Sequence, residues 1–170
     1  GRIEDLAAAK AVLVIGANIR KEQPLLAARL RQSVKKGTAL SVIGLANDAL
    51  LMSTHARVTV SPAEMLRTAT AVLAATATLK GSPVPAVAQG IAPCEQTQAM
   101  AQSLCDAESG FIVLGNLAQH SAAFGALLAV VNEIAKLTGA RVGVLGEAAN
   151  SVGAELVFKP SSEGQNAQQM

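Results

Sequence analysis

Apolar runs bounded by glycine recur along the chain in a pattern typical of strand–helix–strand units. Ala11–Ile15 is continuously apolar, ends at Gly16, and is followed by a helical stretch and a second apolar run after Gly37. Gly110–Gly115 begins a second unit of the same form, which ends at Gly146. Strands without polar residues are typical of parallel sheets whose two faces are both covered by helices.

The pattern predicts five main strands joined mostly by helices. They are expected at Ala11–Ile15, Ala39–Ile43, Ala56–Val60, Phe111–Leu114 and Arg141–Leu145, with a short terminal strand at Leu156–Phe158. Crossovers of this length make the strands parallel and the connections right-handed. The two fully apolar strands belong at the centre, which gives the order third, second, first, fourth, fifth. We therefore predict an α/β, three-layer Rossmann-like domain with about five mostly parallel strands and helices on both faces.

Helical periodicity and capping residues place the helices between these strands. Helices are expected at Ile3–Ala9, between Pro24 and Gly37, from Ser61 to Lys80–Gly81, over Pro93–Ala107, and from Phe124 to Gly139. The capping box at Ser61 to Glu64, with Pro62 at the first helical position, is the clearest helix start. Asn47–Thr54 is ambiguous between loop and short helix, and Ser82–Ala92 is expected to be a loop.

The length of the chain suits one domain. Residues 1–160 are expected to form it, as a piece of a longer subunit, since the sequence opens on Gly1 rather than Met. The polar, Gln-rich residues 161–170 are expected to be disordered.

Composition excludes several function classes. The net charge is +2 and only three residues are aromatic, so neither a basic footprint nor a stacking platform for nucleic acid is expected. No run reaches the roughly 18 apolar residues of a membrane span, so no direct membrane insertion is expected. Cys94 and Cys105 match no metal or redox spacing, and neither His55 nor His120 has a partner at metal spacing. No metal site is predicted.

A ligand in such a fold would lie over the carboxyl ends of the first and fourth strands. The candidate residues of this crevice are Gly16, Asn18, Arg20, Gly115, His120 and Asn150. Of the three glycines in a dinucleotide fingerprint only Gly16 is present, so a tight turn and a helix cap at Asn18 are favoured over ligand contact. Arg20 and His120 are favoured as surface and loop residues.

Catalytic machinery is not predicted anywhere in the chain. No G-x-S-x-G nucleophile motif, no close pair of carboxylates and no phosphate-binding G-x-x-x-x-G-K sequence occurs. Asp48 follows the second strand near the position of a ribose-binding acid, but it lies several residues beyond the strand end. We therefore favour a structural role for Asp48, in a turn or as a helix cap.

Particular segments resemble a known family. Val14–Asn18 with Pro24, followed by Lys36–Ala39, resembles the molybdopterin oxidoreductase domain. Gly146–Ala154 is similar to the large iron–sulfur subunit of bacterial NADH:quinone oxidoreductase, respiratory complex I, as are Glu4–Lys10 and Val58–Met65. The resemblance covers about residues 3–158.

This resemblance implies a non-catalytic structural domain in a subunit that passes electrons from NADH toward quinone. Iron–sulfur clusters are then expected in the rest of the parent subunit, and no cofactor is expected in this chain. The expected partners are other subunits of the peripheral arm of the complex. The implied location is the cytoplasmic side of the bacterial inner membrane, at its periphery. Catalytic relatives hold a molybdenum or tungsten dinucleotide in the crevice and carry an Asp-Pro-Arg-like sequence after the second strand, where this chain has Ile43–Asn47.

Two alternatives remain open at this point. One is the cofactor-binding domain of a working molybdopterin-dependent oxidoreductase. The other is the central domain of a thiamine-diphosphate enzyme, whose strand–glycine–helix architecture is similar. The sequence adjacent to this segment would discriminate among these functions. Cysteine clusters before it would favour complex I, and a thiamine-binding Gly-Asp-Gly region after it would favour the second alternative.

Overall fold

Five parallel strands form one sheet in the order β3–β2–β1–β4–β5. The strands are β1 (Ala11–Ile15), β2 (Ala39–Gly44), β3 (Ala56–Thr59), β4 (Gly110–Leu114) and β5 (Arg141–Val144). The structure, a computed structural model, describes residues 2–148 and 150–157. Both the predicted strand order and the central position of the two apolar strands are confirmed. Ala11 of β1 pairs with Ala39 of β2 on one side and with Gly110 of β4 on the other.

Helices cover both faces of the sheet. They are α1 (Ile3–Ala8), α2 (Ile19–Glu22), α3 (Pro24–Lys35), α4 (Met65–Leu79), α5 (Glu95–Asp106), α6 (Asn116–Gln119), α7 (Phe124–Thr138) and α8 (Ser151–Val157), with 3₁₀ turns at Pro62–Glu64 and Ala86–Ala88. One apolar cluster joins the sheet to α4, α5 and α7, and a second joins it to α1, α2 and α3. The three-layer α/β prediction is therefore confirmed.

Alternation along β1 divides its side chains between the two cores. Leu13 and Ile15 lie in the cluster with α4, α5 and α7, while Val12 and Val14 lie in the cluster with α1 and α3. All four are at most 1% exposed. Full burial of such a side chain contributes about 1.5–3 kcal/mol of transfer free energy, so β1 anchors both layers at once.

The central part of helix α4 is buried around its whole circumference. Every residue from Ala69 to Ala77 is buried, because α5 and α7 pack on its flanks while the sheet lies beneath it. The hydroxyl of Thr76 donates to the carbonyl of Val72 at 2.8 Å, so this buried polar group is satisfied within the helix.

Several sequence predictions need correction. Leu156 and Val157 lie in helix α8 rather than in a terminal strand, because Asn150 starts a helix whose first bond runs from the Ala154 N–H to the Asn150 carbonyl (2.8 Å). A short apolar run does not by itself distinguish strand from helix. Phe158 and the predicted disordered residues 161–170 lie outside the described residues.

Smaller differences concern local elements. Asn47–Thr54 contains no helix, and a 3₁₀ turn interrupts the predicted loop Ser82–Ala92. The short helix α6 was not predicted, and α2 was indicated only by the helix cap at Asn18, because four residues are too few to show a helical periodicity. Within the part of the chain that the structure describes, no helix is long and apolar enough to cross a bilayer.

The capping box before α4 makes a pH-dependent contribution to stability. The Ser61 hydroxyl donates to Glu64 Oε2 at 2.9 Å, and hydrogen bonds from the hydroxyl and the backbone N–H of Ser61 hold the pKa of Glu64 below its ordinary value. A lowered pKa in the folded state adds stability above the unfolded-state value of about 4.3, and this stability is lost as the pH falls through the folded-state pKa. Glu64→Gln should therefore lower the melting temperature at about pH 7 and lower it by less as the pH falls toward about 3.

Thermal denaturation across this pH range tests the prediction. Glu108→Gln is the matched control, since Glu108 is exposed and lies outside the capping box. A loss for Glu64→Gln that is equally large at both pH values would contradict the assignment.

Candidate functional site

The turns that follow β1 and β4 are joined by backbone hydrogen bonds. The Gly16 N–H donates to the carbonyl of Ile43 in β2, and the Gly115 N–H donates to the carbonyl of Ile15, both at 2.9 Å. The Ala118 N–H in α6 then donates to the Gly16 carbonyl at 3.3 Å. The two central turns of the sheet therefore form a continuous hydrogen-bonded floor at the predicted crevice.

Glycine at these two turns allows the backbones to approach each other. A Cβ on Gly16 would lie 2.6 Å from the Ala118 nitrogen, and Gly16 also has a φ of +62°. A Cβ on Gly115 would lie 2.5 Å from the Gly16 carbonyl oxygen and 2.6 Å from the Ala17 Cα. Because nothing larger than hydrogen fits at either position, the space between the turns is occupied by the chain itself.

Asn18 caps helix α2, in the structural role that the sequence favoured for it. Its Oδ1 accepts from the Lys21 N–H at 3.4 Å, and its Nδ2 donates to Asp48 Oδ2 at 2.7 Å. Lys21 Nζ lies 3.7 Å from the other oxygen of Asp48. Asp48 therefore joins the loop after β2 to the turn after β1.

A carboxylate occupies the start of α2. The backbone N–H of Asn18 donates to Glu22 Oε1 at 2.8 Å, and Glu22 Oε2 is buried without a hydrogen-bond partner among the described residues. In dinucleotide-binding folds, the start of the first helix after β1 is where the pyrophosphate binds. In this chain the same position holds a negative charge of its own.

Arg20 also bonds within the chain. Its Nη1 donates to the carbonyl of Ala49 at 2.6 Å, although the residue is exposed. The guanidinium thus fastens α2 to the loop between β2 and β3.

The remaining candidates lie on the β4–β5 side of the crevice. His120 ends α6, and its Nε2 lies 3.3 Å from Glu147 Oε1, with both side chains more than half exposed. Gln119 Nε2 donates to the carbonyl of Leu145 at 2.6 Å. The exposed Asn150 starts α8. This side is therefore held by contacts to the segment that follows β5.

The structure thus arranges the predicted residues in three groups, a floor and two sides. Gly16 and Gly115 meet at the floor, Asn18 and Arg20 bond to the loop after β2, and His120 contacts the loop after β5. A bond that sequence reasoning missed bridges the two sides: Gln23 Nε2 donates to the carbonyl of Gly146 at 3.3 Å, across 123 positions of sequence.

Glu22 was also missed, although a signal for it exists. In a capping box, a carboxylate three residues after the N-cap accepts a hydrogen bond from the backbone N–H of the N-cap residue. A carboxylate four residues after a capping Asn can accept the same bond. Gln23 and Gln119 offered no such signal, because their partners are carbonyls of a distant loop.

The thiols and one groove lie away from this crevice. In residues 2–148 and 150–157, no three His, Cys, Asp or Glu side chains form a metal-binding group. Both cysteines are free thiols on or beside α5. A groove of about 470 Å³ between α4 and α5 contains none of the predicted crevice residues.

A sequence model of one family, described as molybdopterin oxidoreductase, matches residues 1–169. The chain belongs to the molybdopterin oxidoreductase family. No curated protein matches its sequence.

One similar solved structure carries the same fold. It is the X-ray structure of the formyltransferase/hydrolase complex FhcABCD from Methylorubrum extorquens with methylofuran, at a TM-score of 0.65 and 13% identity. The match covers 92% of this chain and 42% of that one, so the chain spans less than half of its length. At this identity the likeness concerns the fold alone.

The family description implies a pterin cofactor, and the crevice residues can be compared with that requirement. A pyrophosphate needs free backbone amides and a clear approach at the first turn. Here the Gly16, Asn18 and Gly115 amides all donate within the chain, and the acceptor of the Asn18 amide is an anion. These three amides are therefore not free to bind a phosphate in this structure.

The contact between the turns is testable by substitution. Gly115→Ala should lower the free energy of unfolding by about 1–3 kcal/mol, since the added methyl overlaps backbone atoms. Gly125→Ala is the control: no atom lies within 4 Å of its Cβ position in α7, and the change should raise stability by up to about 1 kcal/mol. Urea denaturation measures both, and a Gly115→Ala protein as stable as the parent would show that the turns do not meet.

The two thiols should differ in reactivity. Burial raises the pKa of the Cys94 thiol, but hydrogen bonds from Thr97 and neighbouring amides outweigh it and lower the pKa below the ordinary value. Burial raises the pKa of Cys105. Because the thiolate is the nucleophile, iodoacetamide at about pH 8 should modify Cys94 first. Peptide mass spectrometry over time tests this order, with Cys94→Ser as the control, and faster modification of Cys105 would contradict it.

Proposed function

We propose that this chain is a non-catalytic structural domain of the large iron–sulfur subunit of bacterial NADH:quinone oxidoreductase, respiratory complex I. The parent complex passes electrons from NADH toward quinone, and this domain serves as a packing element within it. Membership of the molybdopterin oxidoreductase family supports the fold and its ancestry. The similarity of Gly146–Ala154 to the complex I protein supports the more specific assignment.

The observation that carries the proposal is the occupied crevice. The Glu22 carboxylate accepts the Asn18 amide at the position of a phosphate, and the turns at Gly16 and Gly115 are in backbone contact. A bound pyrophosphate would meet a like charge there instead of a free amide. Loss of cofactor binding with retention of the fold accounts for both features.

The environment of the domain follows from the same proposal. Its partners are the cluster-bearing region of its own subunit and neighbouring subunits of the peripheral arm. The iron–sulfur clusters belong to the rest of the parent subunit, and this segment holds no cofactor. The location is the cytoplasmic side of the bacterial inner membrane, at its periphery.

A working molybdopterin-dependent oxidoreductase is the second candidate, and the family match favours it as well. It requires the crevice to open, with displacement of Glu22 from the Asn18 amide. The thiamine-diphosphate alternative has no comparable support, because the family match covers nearly the whole chain.

Metal analysis of the purified full-length parent protein separates the two candidates. We expect iron and acid-labile sulfide in the preparation, with neither molybdenum nor tungsten in stoichiometric amount and no pterin fluorescence after acid extraction. Stoichiometric molybdenum or tungsten with an extractable pterin would overturn the proposal and favour the second candidate.

A thermal-shift measurement on this chain addresses the crevice directly. NADH or GTP at millimolar concentration should leave the melting temperature unchanged relative to sodium sulfate of equal ionic strength. A ligand present at 100 times its Kd would stabilise the fold by about 2.7 kcal/mol, which is readily detected. A shift of several degrees with either nucleotide would contradict the proposal.

A further inference from the structure

Two glutamine side chains hold consecutive carbonyls of the segment that follows β5. Gln119 Nε2 donates to the carbonyl of Leu145 at 2.6 Å, and Gln23 Nε2 donates to the carbonyl of Gly146 at 3.3 Å. We define Leu145–Glu147 as the β5 strap. Its first two residues are therefore each bound by a different side chain of the crevice.

The third residue of the β5 strap is also in contact with the crevice. Glu147 Oε1 lies 3.3 Å from His120 Nε2. Helix α6, which carries Gln119 and ends at His120, packs in the apolar cluster of α4, α5 and α7, whereas Gln23 lies at the start of α3 on the opposite face of the sheet. The β5 strap therefore joins helices of the two layers at the carboxyl end of the sheet.

Polar side-chain contacts hold the end of the β5 strap. Gly146 and Glu147 are exposed, while Leu145 packs, half-buried, against the apolar cluster of α1, α2 and α3. The Leu145 N–H still donates to the Leu114 carbonyl of β4 at 2.9 Å, which extends the ladder by one residue. Hydrogen bonds and ion pairs at the surface contribute little to stability, because water competes for both partners.

The sheet beside the β5 strap is held differently. Ile112, Val113 and Leu114 of β4 are at most 1% exposed, and β4 pairs with both β1 and β5. Separation of β4 from its neighbours would expose this apolar surface, whereas release of the β5 strap breaks polar contacts at the surface. Segments with few buried apolar contacts open locally while the rest of the fold persists.

We propose that the β5 strap is a releasable closure of the crevice. In the closed state, the two glutamine amides and the His120 imidazole are engaged by acceptors of this chain. In the open state, the same three groups face solvent at the carboxyl end of the sheet, while all five strands stay paired. Access to this side of the crevice is therefore set by the opening equilibrium of the β5 strap. The proposal goes beyond the proposed function and does not depend on it.

Cleavage of the full 170-residue chain by endoproteinase Glu-C, which cuts after glutamate, measures this opening. Glu147 lies in the β5 strap, and cleavage there requires the strap to leave the surface. Glu133 lies in α7 beside the buried Ile134, so cleavage there requires α7 to unfold. We expect cleavage after Glu147 to be faster and to depend only weakly on urea, because little surface is exposed on opening. The same rate and the same urea dependence at both sites would overturn the proposal.

Removal of the two amide donors gives a matched test. In Gln23→Met/Gln119→Met the side chains keep their length and lose their N–H groups. Cleavage after Glu147 should then become about tenfold faster, as expected for the loss of two modest hydrogen bonds. The control Gln98→Met/Gln102→Met makes the same change at exposed positions of α5. Circular dichroism establishes that both variants fold.

The outcomes separate a releasable strap from a fixed or an open one. Exposed Glu108, in the loop between α5 and β4, gives the cleavage rate of an unprotected site. Cleavage after Glu147 at that rate in the unchanged chain would show that the β5 strap is not closed and would overturn the proposal. Equal rates in the two variants would overturn it as well, because the glutamines would then not hold the strap. Stoichiometric molybdenum in the parent protein would overturn the proposed function and leave these rates unaffected.

Discussion

The backbone contact between the turns after β1 and β4 is the constraint on which the rest of the domain depends. From this point the chain leaves β1 toward α2 and α3 on one face and leaves β4 toward α6 and α7 on the other. The two turns lead to opposite faces of the sheet, but their backbones are in contact because Gly16 and Gly115 have no side chains to separate them. The same contact lies at the edge of the sheet where related folds bind dinucleotides.

Polar side chains around the crevice add further hydrogen bonds to this backbone contact. Asn18, Arg20, Gln23 and Gln119 all direct side-chain bonds to the loops after β2 or β5. In a ligand-binding site such groups would face the ligand. In this structure they bond to the loops at the carboxyl end of the sheet.

The sheet and its order were predictable because the decisive signals are local and strong. Continuous apolar runs identify β1 and β4 as central strands, and the capping box at Ser61 marks the start of the α4 region. The helix at Leu156 was predicted wrongly as a strand, since a short apolar run fits either structure.

The candidate site was predictable only in outline. The position of the crevice and the cap at Asn18 follow from strand order and turn chemistry. The bond between Gln23 and Gly146 links positions far apart in sequence, and no local pattern encodes it. Glu22 does have a local signal, its position four residues after the capping Asn18, although its bond to the Asn18 amide was missed.

Helix α4 has a consequence for how the domain opens. Its residues from Ala69 to Ala77 are buried on all sides, and its hydroxyls bond within the helix. Local fraying therefore gives water no access to these backbone amides, and they exchange hydrogen only when α5 and α7 separate from α4. The amides of α4 are thus the natural reporters of global unfolding, while those at the exposed α8 report on local motion alone.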